Sequence, residues 1–376
     1  MDCSGRDIAS GVNVAVTFDE TISEVVACHT PLDTWIAPGW IDLQVNGFAG
    51  VDYNSAETTV DDLERSIRAL FATGITRFFP TVITAAPDAM ARALRRLALS
   101  RERLSCGGAI EGFHVEGPHI AAEDGPRGAH PRQWVRPPDL DEFDRWQQAA
   151  EGRVRMVTLS PEWPEAPHYI ERIVEEGVVA AIGHTAATTA QIGDAVSAGA
   201  TVSTHLGNGT HAVLPRHPNY IWDQLADDRL MAGFIADGIH LDASFLKVAL
   251  RAKGLGRSLL VTDASAPAGA SPGRYRLGEQ EVDLTPEGRV VLAGTEKLAG
   301  SALSMDRAVE NAARLSGLSL QDAVRLATIN PAKAAGIQGR GRGLVPGERA
   351  DIVQFRCAGG RIEVLRTWVG GVEQTF

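Results

Sequence analysis

The feature that most constrains this chain is a recurring alternation. Short apolar, β-branched runs end in Gly, Asn, Thr or a charged residue, and an amphipathic stretch rich in Ala, Leu, Glu and Arg follows each one. Such alternation predicts parallel strands joined by helical crossovers. Eight candidate strands are legible: WIAPGWIDLQVN ending near Asn46, ITRFFPTVI to Thr84, IEGFHVEG around Glu116, VRMVTLSPE to Glu162, VVAAIGHT to His184, TVSTHLGN to His205, MAGFIADGIH to His240 and SLLVTDAS to Asp263. Helical patterns fall between them at 59–73, 87–103, 139–150, 166–176, 188–198, 219–228 and 242–253. Eight units of this kind favour an α/β fold of the (β/α)8 TIM-barrel type over an open doubly wound sheet.

The chain ends read differently. VNVAVTF and EVVACHT near the start, and ADIVQFR and IEVLRTWVGG near the end, alternate without a long helix. The expected organisation is a small β domain from residues 1–37 and 341–376 flanking a barrel over 38–340. A β-hairpin insertion is expected over 272–298, with closing helices at 303–315 and 320–335. A length of 376 residues suits one barrel plus a small accessory domain, and 44% apolar residues can fill its core.

The net charge of -11 comes without any basic run, so nucleic acid is not expected as a partner. The longest apolar runs are strand-sized, so no membrane span is expected. Cys3, Cys28, Cys106 and Cys357 are scattered singly, which suits thiols in a reducing compartment. MDCSGRDIASG lacks a basic n-region and an apolar h-region, so a cytoplasmic location is expected.

The unusual polar residues sit where a barrel does its chemistry, at the C-terminal ends of strands. Glu116, His184, His205, His240 and Asp263 each close a different apolar strand. One such residue is readily explained as a turn or core group. Five at five strand ends are not, because each would bring a buried polar group needing its own partner. Glu116, His184 and His205 form a natural ligand set for a divalent metal. Two imidazoles and a carboxylate suit Zn²⁺ with a position open to water, and Fe²⁺, Co²⁺ or Mn²⁺ fit the same donors. Asp263 is placed to accept a proton from water and return it to a leaving amine. Its competing reading is a turn Asp that caps the next segment.

With these residues in place, the chain resembles the N-acetylglucosamine-6-phosphate deacetylases of the amidohydrolase superfamily. The resemblance rests on segments running in order along nearly the whole chain: PGWIDLQVNGFAG (38–50), HVEGPHI (114–120), GHTAA (183–187), THLGNG (204–209), DGIHLD (237–242), LVTDASAPAG (260–269), LAGSAL (298–303), ATINPAKAAGI (327–337) and GERADIV (347–353). It implies an amidohydrolase barrel with a small β-sandwich made by both ends, a homodimer, one divalent metal and an acetamido sugar phosphate as substrate. By the same resemblance Glu116, His184 and His205 hold the metal and Asp263 is the acid/base. His240 polarises the acetyl carbonyl, Asn208 and Gly209 hold the substrate, Arg216 binds its phosphate, and His130 reaches towards the sugar phosphate.

The chain departs from its relatives twice. Gln44-Val45-Asn46 stands where many superfamily members carry His-x-His, and amides are poor ligands beside imidazoles, so a single metal is expected. THLGNGTHAVLPRHPNYIW (204–222) adds His211, His217, Tyr220 and Trp222, which suit either a dimer-packing helix face or a reshaped pocket. The leading expectation is hydrolysis of N-acetylglucosamine 6-phosphate to glucosamine 6-phosphate and acetate. The alternatives are another N-acylated amino sugar or N-acyl compound, a non-enzymatic sugar-phosphate binder, and a deaminase or cyclic amidase. The last usually retains the paired histidines replaced here.

Overall fold

The first apolar run is two strands, not one. In the computed structural model, which describes residues 1–29 and 33–376, Trp35–Pro38 and Trp40–Val45 belong to different sheets. Gly39 makes the crossing possible. A Cβ there would lie 2.1 Å from the Thr76 side chain, so only glycine lets the backbone pass.

From Trp40 the barrel runs as expected. Its strands are Trp40–Val45, Ile75–Ile83, Phe113–Glu116, Val154–Leu159, Val179–Ile182, Val202–Ser203, Met231–Phe234 and Ser258–Leu260. They are parallel neighbours in chain order. A bridge between Val45 and Ala264 joins the last strand's extension to the first and closes the ring.

The crossover helices lie within two residues of the sequence expectation, at Val60–Phe71, Pro87–Arg103, Leu140–Ala149, Ala166–Glu175, Thr189–Ser197, Tyr220–Ala226 and Ala243–Lys253. Their starts are fixed by side-chain caps. Thr59 with Asp62 and Thr188 with Gln191 form capping boxes, while Asp139, Asn219 and Asp242 accept from the first-turn amides. No helix of the described residues is long and apolar enough to cross a membrane.

Both chain ends contribute to one seven-stranded sheet. Asp2–Asp7, Asn13–Phe18, Ile22–Ala27 and Trp35–Pro38 join Ile352–Ala358, Arg361–Val369 and Val372–Gln374. The end of the run EVVACHT, at Thr30, lies outside the described residues. Three strands separate the one bearing Phe18 from the one bearing Trp368, yet the two rings meet edge-on at 6.0 Å. On a flat sheet strands are about 4.8 Å apart, so that contact requires the sheet to fold over on itself. The expected sandwich is therefore a single curled sheet around Val16, Phe18, Ile36, Ile352 and Trp368. The expected hairpin over 272–298 is a three-stranded meander: Gly273–Leu277, Gln280–Leu284 and Val290–Leu292. The closing helices are Met305–Ser316 and, in place of one helix over 320–335, a pair at Leu320–Leu326 and Ile329–Ala334.

A buried ion cluster locks the curled sheet to the barrel. Asp351 accepts from Arg77 at 2.7 and 2.9 Å, from Arg340 at 2.6 Å and from the Gly370 amide at 2.7 Å. Arg340 also donates to Gly39 O at 2.5 Å, beside the crossing point. Burial alone would raise the Asp351 carboxyl, but Arg340 and Arg77 hold it down at about 2. Such a depressed carboxylate contributes stability above its unfolded value near 4, and the contribution is lost as pH falls towards 2. Asp351→Ala strands two buried guanidinium groups and is expected to cost about 3–5 kcal/mol, read as a lowered midpoint in urea unfolding.

Candidate active site

The strand ends converge on one cavity of about 500 Å³. Its walls include Asn46, Glu116, His130, His184, His205, Asn208, Gly209, His240 and Asp263, from the ends of six barrel strands and the loops that follow them. Only five non-glycine residues among those described have a left-handed backbone, and His184, His205 and Asp263 are three of them, with φ of 49°, 24° and 51°. That conformation costs roughly 1–3 kcal/mol each and persists where the surroundings demand it, which happens most at functional sites. Here it turns each side chain from the strand end into the cavity. Two glycines make room for the His184 ring. A Cβ at Gly209 would sit 2.5 Å from its Nδ1, and one at Gly128 2.9 Å from its Cε1.

Glu116 is the hub. Its Oε1 lies 2.9 Å from His205 Nε2, 3.3 Å from His184 Nε2 and 2.8 Å from the Gln44 amide nitrogen. Its Oε2 lies 3.8 Å from His130 Nε2. Burial would raise this carboxyl, but His184 and His205 outweigh it and hold it well below its ordinary value. The His184 ring has its Nδ1 2.8 Å from Pro126 O, so Nδ1 carries the hydrogen. In the neutral ring Nε2 is then a lone pair facing a carboxylate oxygen. Two electron-rich atoms in that relation require either a second ring proton or a cation between them. The donor set, with His205 Nδ1 and Asn46 Oδ1 also buried without a partner, fits a divalent metal.

The tightest trio of donor atoms is Glu116, His130 and His184, all within 4.8 Å of one another. His130 thus lies beside the metal-binding group, in the wall of the cavity. Its Nδ1 is 2.8 Å from Thr84 Oγ1, and its ring stacks edge-on to His184 at 4.4 Å. Burial and the neighbouring His184 push His130 down to about 3, which keeps the ring neutral. Arg216, expected at the substrate phosphate, stands elsewhere on the loop. It is exposed, makes no side-chain hydrogen bond or ion pair among the described residues, and does not line the cavity. After Asn208 the loop runs outward through Val213, which is 87% exposed.

Asp263 sits opposite Glu116. Its Oδ1 accepts from Asn46 at 2.7 Å and from Gln44 at 3.1 Å. Burial and the Glu116 charge push it up to about 6, against the opposing pull of His205, His240 and Asn46. A carboxyl in that range can both take and release a proton near neutrality. His240 is oriented by Asp237, whose Oδ2 lies 2.6 Å from Nδ1 and whose Oδ1 accepts the amides of Ile239 and His240 at 2.8 Å. Nε2 is left for a ligand. Asn208 bonds back to His205 O at 3.2 Å and lines the cavity beside Gly209.

Three contributors were not assigned from the sequence. Gln44 and Asn46 were read only as poor ligands, whereas their amide nitrogens position both carboxylates. Asp237 lies three residues before His240 on the same turn, a spacing that could have revealed it.

The comparisons agree with this geometry. The amidohydrolase family model matches residues 35–373. The chain is 34% identical over 328 residues to N-acetylglucosamine-6-phosphate deacetylase of Bacillus subtilis (strain 168), covering 86% of this chain and 81% of that protein. It is 32% identical over 341 residues to N-acetylgalactosamine-6-phosphate deacetylase of Escherichia coli O157:H7, covering 91% and 88%. Among solved structures, a mutant N-acetyl-D-glucosamine-6-phosphate deacetylase of Mycobacterium smegmatis, in complex with N-acetyl-D-glucosamine-6-phosphate, aligns with a TM-score of 0.88 at 32% identity over 97% of this chain and 95% of that one. The chain therefore belongs to the amidohydrolase family and, within it, to the N-acetylglucosamine-6-phosphate deacetylases.

Proposed function

We propose that this protein hydrolyses the N-acetyl group of N-acetylglucosamine 6-phosphate, giving glucosamine 6-phosphate and acetate. The observation that carries the reading is the pairing, in one cavity, of a metal-binding carboxylate–imidazole group with a separate carboxyl held at about 6. A divalent metal, Zn²⁺ by its donor set, held by Glu116, His184 and His205, would polarise the acetyl carbonyl and acidify water beside it. Asp263 takes the proton from the attacking water as the new C–O bond forms. It delivers that proton to the amine nitrogen as the C–N bond breaks. His240, fixed through Nδ1 by Asp237, offers Nε2 to the carbonyl oxygen where charge develops. Asn208 and Gly209 wall the side of the cavity next to the histidines and position the sugar.

His130 and His205 compete for the third ligand place, and metal analysis separates them. Expected is that His205→Ala leaves the purified protein with little metal, while His130→Ala keeps it. The reverse result would move the ligand role to His130.

The support for a homodimer is exposed apolar surface at Val213 and Ile239, next in sequence to the cavity-lining residues Ala212 and His240, and at Trp222. The four free cysteines suit the cytoplasm. We place the small domain at 1–37 and 341–376 and the barrel at 38–340, with Asp351, Arg77 and Arg340 at the junction.

A substrate panel on metal-replete protein tests the reading. Expected is that N-acetylglucosamine 6-phosphate gives the highest kcat/KM. The 4-epimer as preferred substrate would transfer the activity to N-acetylgalactosamine 6-phosphate, and no turnover of any acetamido sugar would refute it.

A further inference from the structure

We infer that Lys297 is a specificity-determining residue that receives the anionic phosphate of the substrate at the rim of the catalytic cavity. The inference rests on the proposed substrate class and names the chain's own cation for it.

Lys297 is the only Lys or Arg among the cavity's lining residues. No carboxylate lies within ion-pair distance of it among the described residues, and its ammonium makes no hydrogen bond there. It is exposed while also lining the cavity, which puts it at the mouth. Arg127, the other cation close by, is occupied. It pairs with Asp124 and donates to His130 O at 2.6 Å. Arg216, which the sequence offered for this task, is exposed and is not among the residues that line the cavity.

The Lys297 backbone is held rigidly. Leu292 N donates to Lys297 O at 2.8 Å, Lys297 N donates to Thr295 Oγ1 at 3.2 Å, and Leu298 bridges back to Val291. The meander that carries it is pinned to the barrel. Gly278 N donates to Asp52 at 2.7 Å, and the Gln280 amide donates to Ala129 O at 2.5 Å. Four residues after Lys297 the chain meets the acid/base strand end. Ser301 N donates to Asp263 O at 2.9 Å and Ser265 N donates to Ser301 O at 3.0 Å. A cation on this segment therefore stands in a fixed relation to Asp263. Burial and the neighbouring Arg127 lower the Lys297 ammonium, against a smaller opposing pull from Asp124, and an incoming dianion would favour its charged form.

Lys binds phosphate as a point charge, and charge-assisted bonds of this kind are strong where neighbouring walls exclude water. A cation at the mouth places the anionic end away from the reacting amide, which must lie at the floor beside Glu116 and Asp263.

The test uses full-length, metal-replete protein in four forms: wild type, Lys297→Met, Lys297→Arg and Arg216→Ala. Steady-state rates are measured with N-acetylglucosamine 6-phosphate and with N-acetylglucosamine. Inorganic phosphate is titrated calorimetrically into each form as an independent probe. Expected is that Lys297→Met lowers the preference for the phosphorylated sugar about 10- to 100-fold, mainly through KM, and weakens inorganic phosphate by a similar factor, with Lys297→Arg restoring much of both. Unchanged phosphate affinity and unchanged preference in Lys297→Met overturn the inference, and a loss seen only in Arg216→Ala assigns the role there. Failure of wild type to turn over the phosphorylated sugar counts against the proposed substrate alone, because the phosphate titration still decides the role of Lys297.

Discussion

Asp263→Asn should reduce kcat by about 10²- to 10⁴-fold while leaving the metal in place. Among the described residues the side chain makes no hydrogen bond to Glu116, His184 or His205. It is held by Asn46 at 2.7 Å and Gln44 at 3.1 Å, and the second of these amides also supports Glu116. The substitution keeps size and much of the hydrogen bonding but removes the group that can carry a proton. At about 6, the native carboxyl is poised to accept one from water and give it to an amine. Metal analysis and single-turnover kinetics check the result together. An unchanged metal content with a collapsed chemical step is the expected pairing. A variant that retains kcat within a few-fold would remove Asp263 from the proton path.

Glu116→Gln should abolish activity through a different route, by losing the metal. Glu116 is the only carboxylate in the tight donor trio and the common neighbour of His184, His205 and His130. An amide there brings no negative charge, and it places an N–H donor among rings that need an acceptor. The expected results are metal far below one equivalent after dialysis, and a melting temperature that no longer rises with added metal. Ligand binding to the native state stabilises by mass action, so the wild type should show that rise. Full metal retention in Glu116→Gln would contradict the hub role of this residue.

The two substitutions fail differently because the site has two halves. One half binds and the other moves protons, with Gln44 bridging them through a single amide nitrogen.

Much of this was legible in the sequence because barrel logic ties chemistry to strand ends. Glu116, His184, His205, His240 and Asp263 are visible as polar terminations of apolar runs, and the structure brings all five to one cavity. The crossover helices were legible for the same reason, since amphipathic periodicity and caps such as Thr59 and Thr188 are local signals. What was hidden depends on non-local packing. The change of sheet at Gly39 is dictated by Thr76 approaching from another strand, and no spacing within WIAPGWIDLQVN reveals it. The folding of the terminal sheet is visible only once Phe18 and Trp368 meet across 350 positions of chain. The directions of His130 and Arg216 were not legible because both sit on loops, where residue order says little about direction. Thr84 turns the first inward, and the exposed run after Ala212 carries the second out.

The most direct test of a single metal-dependent centre is a titration of activity against metal. Protein stripped by chelation is reconstituted with Zn²⁺ in increments, and acetate release from N-acetylglucosamine 6-phosphate is followed at each step. Activity should rise from zero in proportion to metal and level off at one equivalent per chain. Full activity in the metal-free protein, or a plateau only at two equivalents, would contradict a site built from Glu116, His184 and His205 with Gln44 and Asn46 serving as hydrogen-bond donors.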